Sequence, residues 1–536
     1  MSGKHRVKTS GNGFDCSNIL MSGTPSRTSL TAQSAWLVFA RVVGFLFALL
    51  LPLIIVRRFS QEAVGTYRQA FQIAGDAVTI LALGFNMSGF YYFNRDPDRR
   101  GYAALNILLF NFVAGAFGFL VLLVYPGALR DLFQNDSLLQ LAPRIGLLIW
   151  FWLFSSFIEF AAVANQESRI GSLLIIGTQL TKALLMVGSV IFFETVEAII
   201  NAVLIQCLLQ SVVLIVYLNS RFPKFWKSFD LEFFKEQAIY AIPYGLAAIL
   251  AIALTNIHFY FVGYRFTEAE FAIYAYGCFQ LPLIAILAES AAAVILPRMS
   301  ELELAGDYRR MAELITRAIE KLSFYYFAIY AYLIVVADVF VTTLFTSDYA
   351  ASVPIFVAFL TLLPFNIWLI DPVFRSFKDM GTKLLLLRLI FVSVLIAALS
   401  FTIRSFTMVG IVSIVVFVLM VDRAACVWLA ARRLGLTLRD VKLLTGVFKT
   451  AIAAICAGTV SQFAFVLFKN YLPPAFASFD MSLFEPRIAE SIVGAAILGC
   501  TLIVFLPVYL LAANALSVID EKEKQILLKS WKFVTG

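Results

Sequence analysis

Ionisable side chains stand inside long apolar segments of this 536-residue chain, where a charge is costly unless it is paired or wetted. A guanidinium or ammonium group in such a place can bind a phosphate or another anion. A carboxylate there can carry a proton or bind a coupling cation. The bases are Arg41, Lys182, Arg388 and Arg423, and the acids are Asp76, Glu159, Glu289 and Asp371.

Depth within the apolar segments separates these residues. Lys182 lies near the middle of its segment, and Asp76 lies in the third nearest the predicted outer face. The other six lie in the third nearest the cytoplasm, which predicts an inner vestibule whose arginines meet an anionic head group. Acids and arginines of similar depth could instead neutralise one another between helices, and Arg388 could extend to the interface. We favour Arg41 and Lys182 as substrate contacts.

The composition predicts that the lipid bilayer is the solvent of this chain. Hydrophobic residues make up 61% and charged residues 14%, whereas soluble domains are about 45 to 50% apolar and about 25% charged. Many aromatic residues argue against disorder. Uninterrupted apolar runs long enough to span as helices argue against the alternating strands of a membrane barrel. The fold class is therefore an all-α polytopic membrane protein.

The apolar runs predict fourteen transmembrane helices. Their bounds are 34–56, 70–93, 103–125, 141–164, 170–193, 197–218, 238–262, 270–296, 322–345, 352–375, 384–403, 406–431, 446–468 and 487–513. The predicted organisation is a cytoplasmic tail (1–33), an N-lobe of six helices (34–218), an interfacial linker (219–237), a C-lobe of six helices (238–431), two extra helices with their loops (432–513) and an amphipathic tail (514–536).

Basic residues predict the orientation. Most of the 42 lysines and arginines fall in segments that are cytoplasmic if both termini lie inside, as the positive-inside rule requires. The net charge of +8 then follows from topology. Because the basic residues form no single patch, nucleic acid is not an expected partner.

A short and weak sequence similarity relates the two halves of the chain. Arg58-Phe59-Ser60 and Tyr67 follow the first predicted span, as Arg265-Phe266-Thr267 and Tyr274 follow the seventh. Both sets stand in the outer loop after the first span of a half. This arrangement predicts a parallel repeat of two six-helix lobes.

Motifs for catalysis are missing from the sequence. It has two histidines and contains no CxxC, HExxH, P-loop or GxSxG pattern. The longest predicted outer connection, 469–486, carries one aspartate, Asp480, which makes a membrane glycosyltransferase or polymerase the least favoured class. We therefore expect a transporter that is not an enzyme and needs no cofactor or metal.

Several short motifs resemble the polysaccharide biosynthesis flippases of the multidrug/oligosaccharidyl-lipid/polysaccharide (MOP) exporter superfamily. They are Ala40-Arg41-Val42-Val43-Gly44-Phe45, Arg57-Arg58-Phe59, Val64-Gly65-Thr66-Tyr67, Leu83-Gly84-Phe85, and Leu296-Pro297-Arg298-Met299-Ser300 with Gly306-Asp307. The resemblance implies two lobes around a central cavity and alternating access. In the related lipid II flippases a first-span arginine in a similar setting lines a cationic cavity, and this role carries over to Arg41.

The resemblance also implies the substrate and the location. An undecaprenyl-diphosphate-linked oligosaccharide would cross the bacterial cytoplasmic membrane for O-antigen, capsule or exopolysaccharide synthesis, with glycan polymerases and glycosyltransferases as possible partners. The main alternative is a cation-coupled multidrug exporter of the same superfamily, with Asp76 or Glu289 as the coupling acid.

Overall fold

A computed structural model describes residues 51–227, 229–377, 379–477 and 486–518, and within them every regular element is a helix. The α-helices are α1 (51–58), α2 (Gln61–Ala82), α3 (Phe85–Arg95), α4 (Arg100–Val124), α5 (Gly127–Phe133), α6 (Asp136–Ala164), α7 (Ser168–Phe192), α8 (Val196–Arg221), α9 (Leu231–Arg265), α10 (Glu268–Gly277), α11 (Pro282–Leu304), α12 (Tyr308–Phe345), α13 (Val353–Leu360), α14 (Ile370–Ser376), α15 (Met380–Thr402), α16 (Met408–Arg433), α17 (Thr445–Ala477) and α18 (Pro486–Ala515).

The number of membrane spans is close to the prediction. Among the described residues 11 helices are long and apolar enough to cross a membrane, and two bent helix pairs raise the number to 13 if each pair is one span. All overlap the predicted second to fourteenth spans. The predicted first span, 34–56, lies mostly outside the described residues, so the count of fourteen stays a prediction.

Three predicted spans are not single helices. Span 70–93 bends by 42° between α2 and α3, where Leu83 and Gly84 have φ of 42° and 76°. Span 270–296 is interrupted between α10 and α11, and span 352–375 between α13 and α14. Apolar residues continue through all three places, so hydropathy did not reveal the breaks.

The helices form two bundles and a pair. In the first bundle (α2–α8), α6 packs against every other member; in the second (α9–α16), α15 packs against α9, α14 and α16, and α12 against α11 and α13. Helices α17 and α18 pack against each other and α12. Large apolar side chains cover the outside, among them Phe192 and Phe463 at 80% and 76% exposure. Such a surface suits lipid and not water.

The motifs shared by the two halves occupy similar places in the two bundles. Ser60 N-caps α2 by accepting a hydrogen bond from the Ala63 amide, and Thr267 N-caps α10 by accepting one from the Glu270 amide. Side-chain oxygens at this position satisfy amides that lack a helical partner. The shared caps agree with the proposed repeat, which stays a prediction.

Very close backbone contacts join the two bundles. A Cβ atom on Gly65 of α2 would lie 1.9 Å from the carbonyl oxygen of Glu268 in α10, and one on Gly245 of α9 would lie 2.3 Å from the Leu83 carbonyl carbon. Arg57 of α1 adds polar contacts to α12 and α18, because it donates to the Thr343 carbonyl oxygen at 2.9 Å and to Ser491 Oγ at 2.7 Å. Glycine is therefore required where α2 crosses α10.

We expect Gly65→Ala to lower the thermal unfolding midpoint in detergent, because overpacking of a close contact costs about 1 to 3 kcal/mol. Gly75→Ala is the matched control on the same helix, since a Cβ atom there meets nothing within 4 Å. Alanine should leave stability at that site unchanged or raise it slightly through helix propensity. Equal midpoints for the two variants would contradict the tight crossing.

Candidate functional site

A cavity of about 690 Å³ opens within the second bundle. It is walled by α9, α11 to α16 and the connections between α10 and α11 and between α13 and α14. We call it the second-bundle cavity. Its charged lining residues are Glu289, Asp371, Arg388, Asp422 and Arg423. The structure thus gathers four of the eight sequence-predicted site residues at one place and adds a fifth charge, Asp422.

The strongest polar contact in the cavity is the ion pair between Arg388 of α15 and Asp422 of α16. Arg388 Nη1 lies 2.7 Å from Asp422 Oδ2, and the side chains are 20% and 2% exposed. Breaking such a pair by removing one partner leaves an uncompensated buried charge. Arg388 is therefore held in the cavity wall and does not reach outward to the membrane surface.

Arg423 lines the same cavity without a carboxylate partner. Its Nη2 donates a long hydrogen bond of 3.4 Å to Asn366 Oδ1, and in the described part of the chain it forms no ion pair. Arg388, Asp422 and Asp371 act on it electrostatically. Arg423 is consequently the cavity cation with most capacity left for an external anion.

Breaks in the helices bring uncharged polar groups to the cavity. Gln280 lies in the non-helical connection between α10 and α11, and Asn366 lies in the 3-10 turn Leu363–Ile367. Pro282 stands in the first turn of α11, and Pro364 stands at the start of the 3-10 turn; at such positions the missing N–H of proline costs nothing. Non-helical backbone is tolerated at membrane depth where it lines a cavity.

The two predicted acids of the cavity differ from Asp422 in their surroundings. Asp371 pairs with Arg375 one turn along α14 at 3.3 Å, and both side chains are 65% exposed. Glu289 lines the cavity from α11. These positions suit contact with water and with whatever enters the cavity.

Lys182 and Glu159 lie elsewhere, in the first bundle. Lys182 Nζ of α7 stands 4.8 Å from the centre of the Trp152 ring of α6, a cation–π contact. Glu159, also on α6, acts on Lys182 electrostatically without a direct ion pair among the described residues. The structure does not bring Lys182 to Arg388 or Arg423.

Asp76 is bound entirely by neutral donors. Its carboxylate accepts hydrogen bonds from Gln72 Nε2 at 2.7 Å, Asn256 Nδ2 at 2.7 Å and the Tyr260 hydroxyl at 2.8 Å. Asn256 and Tyr260 belong to α9, so Asp76 connects the first bundle to the second. No basic side chain pairs with it within the described residues.

The remaining predicted site residue is Arg41, and the spans also carry uncharged polar residues. Arg41 lies outside the described residues. Among the uncharged polar residues of the spans, Asn86 and Asn111 hydrogen-bond each other at 2.8 Å, as do Gln206 and Gln210 at 2.6 Å. These four are buried between helices and serve packing of the first bundle.

Asp422 is the residue that sequence reasoning missed. Its chain neighbour Arg423 points about 100° away around the helix, so adjacency in the chain does not identify its partner. The available signal was the similar predicted depth of Arg388 and Asp422 on consecutive spans.

We expect Asp76→Ala to lower the thermal unfolding midpoint, because three part-buried donors lose their shared acceptor, and an unsatisfied group costs up to about 1 to 3 kcal/mol when it is buried. Asp338→Ala is the control: Asp338 pairs with Lys469 where the side chains are 41% and 50% exposed, and exposed pairs contribute about 0 to 1 kcal/mol. Melting of both variants in the same detergent tests this. A larger loss in Asp338→Ala would contradict the assignment.

Comparison with known proteins supplies a family match and a fold. The model of the polysaccharide biosynthesis protein family matches residues 94–354. No curated protein sequence matches the chain. The lipid II flippase MurJ in an inward closed conformation is similar with a TM-score of 0.64 and 15% identity, over 90% of this chain and 98% of that chain.

Other transporters share the fold. A MOP superfamily transporter from Pyrococcus furiosus has a TM-score of 0.55 and 16% identity, over 75% of this chain and 95% of that one. A multidrug resistance MATE family transporter in an inward-facing conformation has a TM-score of 0.53 and 16% identity, over 74% and 98%. The solved structures that share this fold are described as a flippase and as transporters. Residues 94–354 carry the sequence pattern of the polysaccharide biosynthesis protein family on the fold of MOP-superfamily flippases and transporters, which confirms the resemblance drawn from the motifs.

Proposed function

We propose that this protein is a flippase that moves an undecaprenyl-diphosphate-linked oligosaccharide across the bacterial cytoplasmic membrane by alternating access. It would act in O-antigen, capsule or exopolysaccharide synthesis, with both termini in the cytoplasm. Glycosyltransferases that build the glycan and a polymerase that extends it are the proposed partners.

One observation carries the proposal: Arg423 faces the second-bundle cavity without a carboxylate partner in the described part of the chain. Its guanidinium fork matches the oxygens of a phosphate. Arg388 lies in the same wall and could add donors. The cavity volume of about 690 Å³ is within the usual range for small-ligand sites, about 300 to 1,000 Å³.

The rest of the lining suits a sugar. Phe279, Tyr326 and Trp368 contribute aromatic surface, and Gln280 and Asn366 contribute amides that both donate and accept hydrogen bonds. A lipid-linked glycan presents sugar faces, hydroxyls and phosphates together. The cavity offers a complement to each of these groups.

The rival function is a cation-coupled multidrug exporter. Glu289 and Asp371 in the cavity and the MATE transporters among the structural neighbours favour it. Expression in a host that lacks its drug pumps discriminates the two functions. Resistance to several cationic drugs would support the exporter, whereas rescue of a strain that lacks its glycan flippase would support the flippase.

We expect Arg423→Ala to lower transport of a radiolabelled lipid-linked glycan in proteoliposomes by about tenfold or more, because a charge-assisted hydrogen bond contributes about 1.5 to 3 kcal/mol. Arg432→Ala is the matched control on the same helix. Arg432 lies outside the cavity lining, over the Trp428 ring at 5.5 Å, so its removal should change transport little. Undiminished transport by a well-folded Arg423→Ala protein would remove the proposed anion contact.

Arg41 retains the role implied by the family resemblance, and the same assay tests it. Arg41→Ala should also lower transport about tenfold or more through loss of one charge-assisted contact. Arg41→Lys keeps the charge but loses the fork, so an intermediate rate is expected. Normal transport by Arg41→Ala would leave Arg423 as the principal contact.

A further inference from the structure

Asp422 is the most deeply buried charged group of the second-bundle cavity. The residue is 1% exposed, and Oδ2 binds Arg388 at 2.7 Å. The other oxygen, Oδ1, has no hydrogen-bond partner. The negative charge of Asp422 thus depends on one direct cationic contact.

The elements packed around Asp422 bring few other titratable groups to it. Arg388 comes from α15, Arg423 and Cys426 from α16 itself, and Asp371 from α14. Across the cavity, α11 contributes Glu289 and α12 contributes Tyr326. Helix α13 contains no titratable residue, and α9 faces the cavity with Ala251 and Thr255.

Arg388 contacts both Asp422 and the open space of the cavity. One of its nitrogens binds Asp422, yet its side chain is 20% exposed and lines the cavity. A phosphate that enters would therefore compete with Asp422 for the same guanidinium. If the phosphate displaced Asp422 from Arg388, Asp422 would remain buried with its charge uncompensated, which is strongly unfavourable.

Protonation resolves this conflict. A buried carboxylate that loses its cationic partner is more stable in the neutral form. Oδ1, which no donor occupies, is available to bind the proton. Arg423 cannot take over the compensation if it binds the same substrate.

We propose that Asp422 occupies Arg388 in the empty cavity and that the substrate diphosphate displaces it. Asp422 takes up one proton when it is displaced, so substrate binding in this cavity is coupled to proton uptake. The hydrogen bond from Arg388 Nη1 to Asp422 Oδ2 is exchanged for one from Arg388 to a phosphate oxygen. The proton comes from water in the cavity and returns to it when the substrate leaves. This inference rests on the proposed function, because it requires an anionic substrate in this cavity.

The direct test measures binding of undecaprenyl-diphospho-N-acetylglucosamine to the full chain in nanodiscs between about pH 5 and pH 9. Both phosphates of this probe are esterified and stay ionised over that range, so the probe itself does not titrate. Proton uptake on binding predicts that Kd rises with pH, by at most about tenfold for each pH unit. Mixing in weak buffer with a pH indicator should show up to about one proton taken up for each ligand bound.

Asp422→Asn should abolish both the pH dependence and the proton uptake, because asparagine cannot take the proton. Its affinity at high pH should approach that of the wild type at low pH. Asp338→Asn is the control, on an acid outside the cavity lining that pairs with Lys469, and it should keep both effects.

The possible results separate the two proposals. Binding by the wild type that is independent of pH would overturn the role of Asp422 while leaving the flippase proposal in place. Loss of the pH dependence in Asp338→Asn, together with its persistence in Asp422→Asn, would also overturn the role of Asp422. Failure of the wild type to bind the probe at any pH would remove the proposed function and this inference together. If Asp422→Asn does not fold, proton uptake by the wild type decides.

Discussion

In a bilayer, each polar group that leaves water has to find a partner inside the protein, and this constraint shapes every feature described above. It confines the backbone to helices and allows breaks only where protein or a cavity supplies partners. The connection that carries Gln280 and the 3-10 turn that carries Asn366 both lie against the second-bundle cavity. The same irregular backbone that interrupts the spans thus creates the polar lining.

The bundles meet through two kinds of contact: close backbone packing at glycines and hydrogen bonds to Asp76. Glycines at Gly65 and Gly245 let backbones approach without side chains between them, which gives dispersion contacts but no directional bonds. Asp76 adds directional bonds from Asn256 and Tyr260 across the same boundary. All the donors to Asp76 are neutral, so water can replace them at a smaller cost than it could replace an ion pair. Such a boundary is compatible with the separation that alternating access requires.

Sequence reasoning located the spans because length and hydropathy determine them. It missed the breaks because Leu83 and the residues around Asn366 are as apolar as the spans themselves. Depth along the helices grouped Glu289, Asp371, Arg388 and Arg423, which share one cavity. Depth could not separate them from Glu159 of the first bundle, since the neighbours of a side chain depend on rotation of each helix about its axis. For that reason the Arg388–Asp422 pair was not foreseen.

The unequal pairing of the two cavity arginines suits the proposed transport of a diphosphate. Two unpaired arginines would hold a diphosphate tightly, and a carrier must bind strongly enough to load and weakly enough to release. One carboxylate for each arginine would leave no attraction for an anion. The cavity has a pair in which Arg388 is neutralised by a carboxylate that is 2% exposed, beside Arg423, whose hydrogen bond to Asn366 is long. Under the proposed function, Arg423 would attract the anion, while Asp422 would limit how firmly Arg388 retains it.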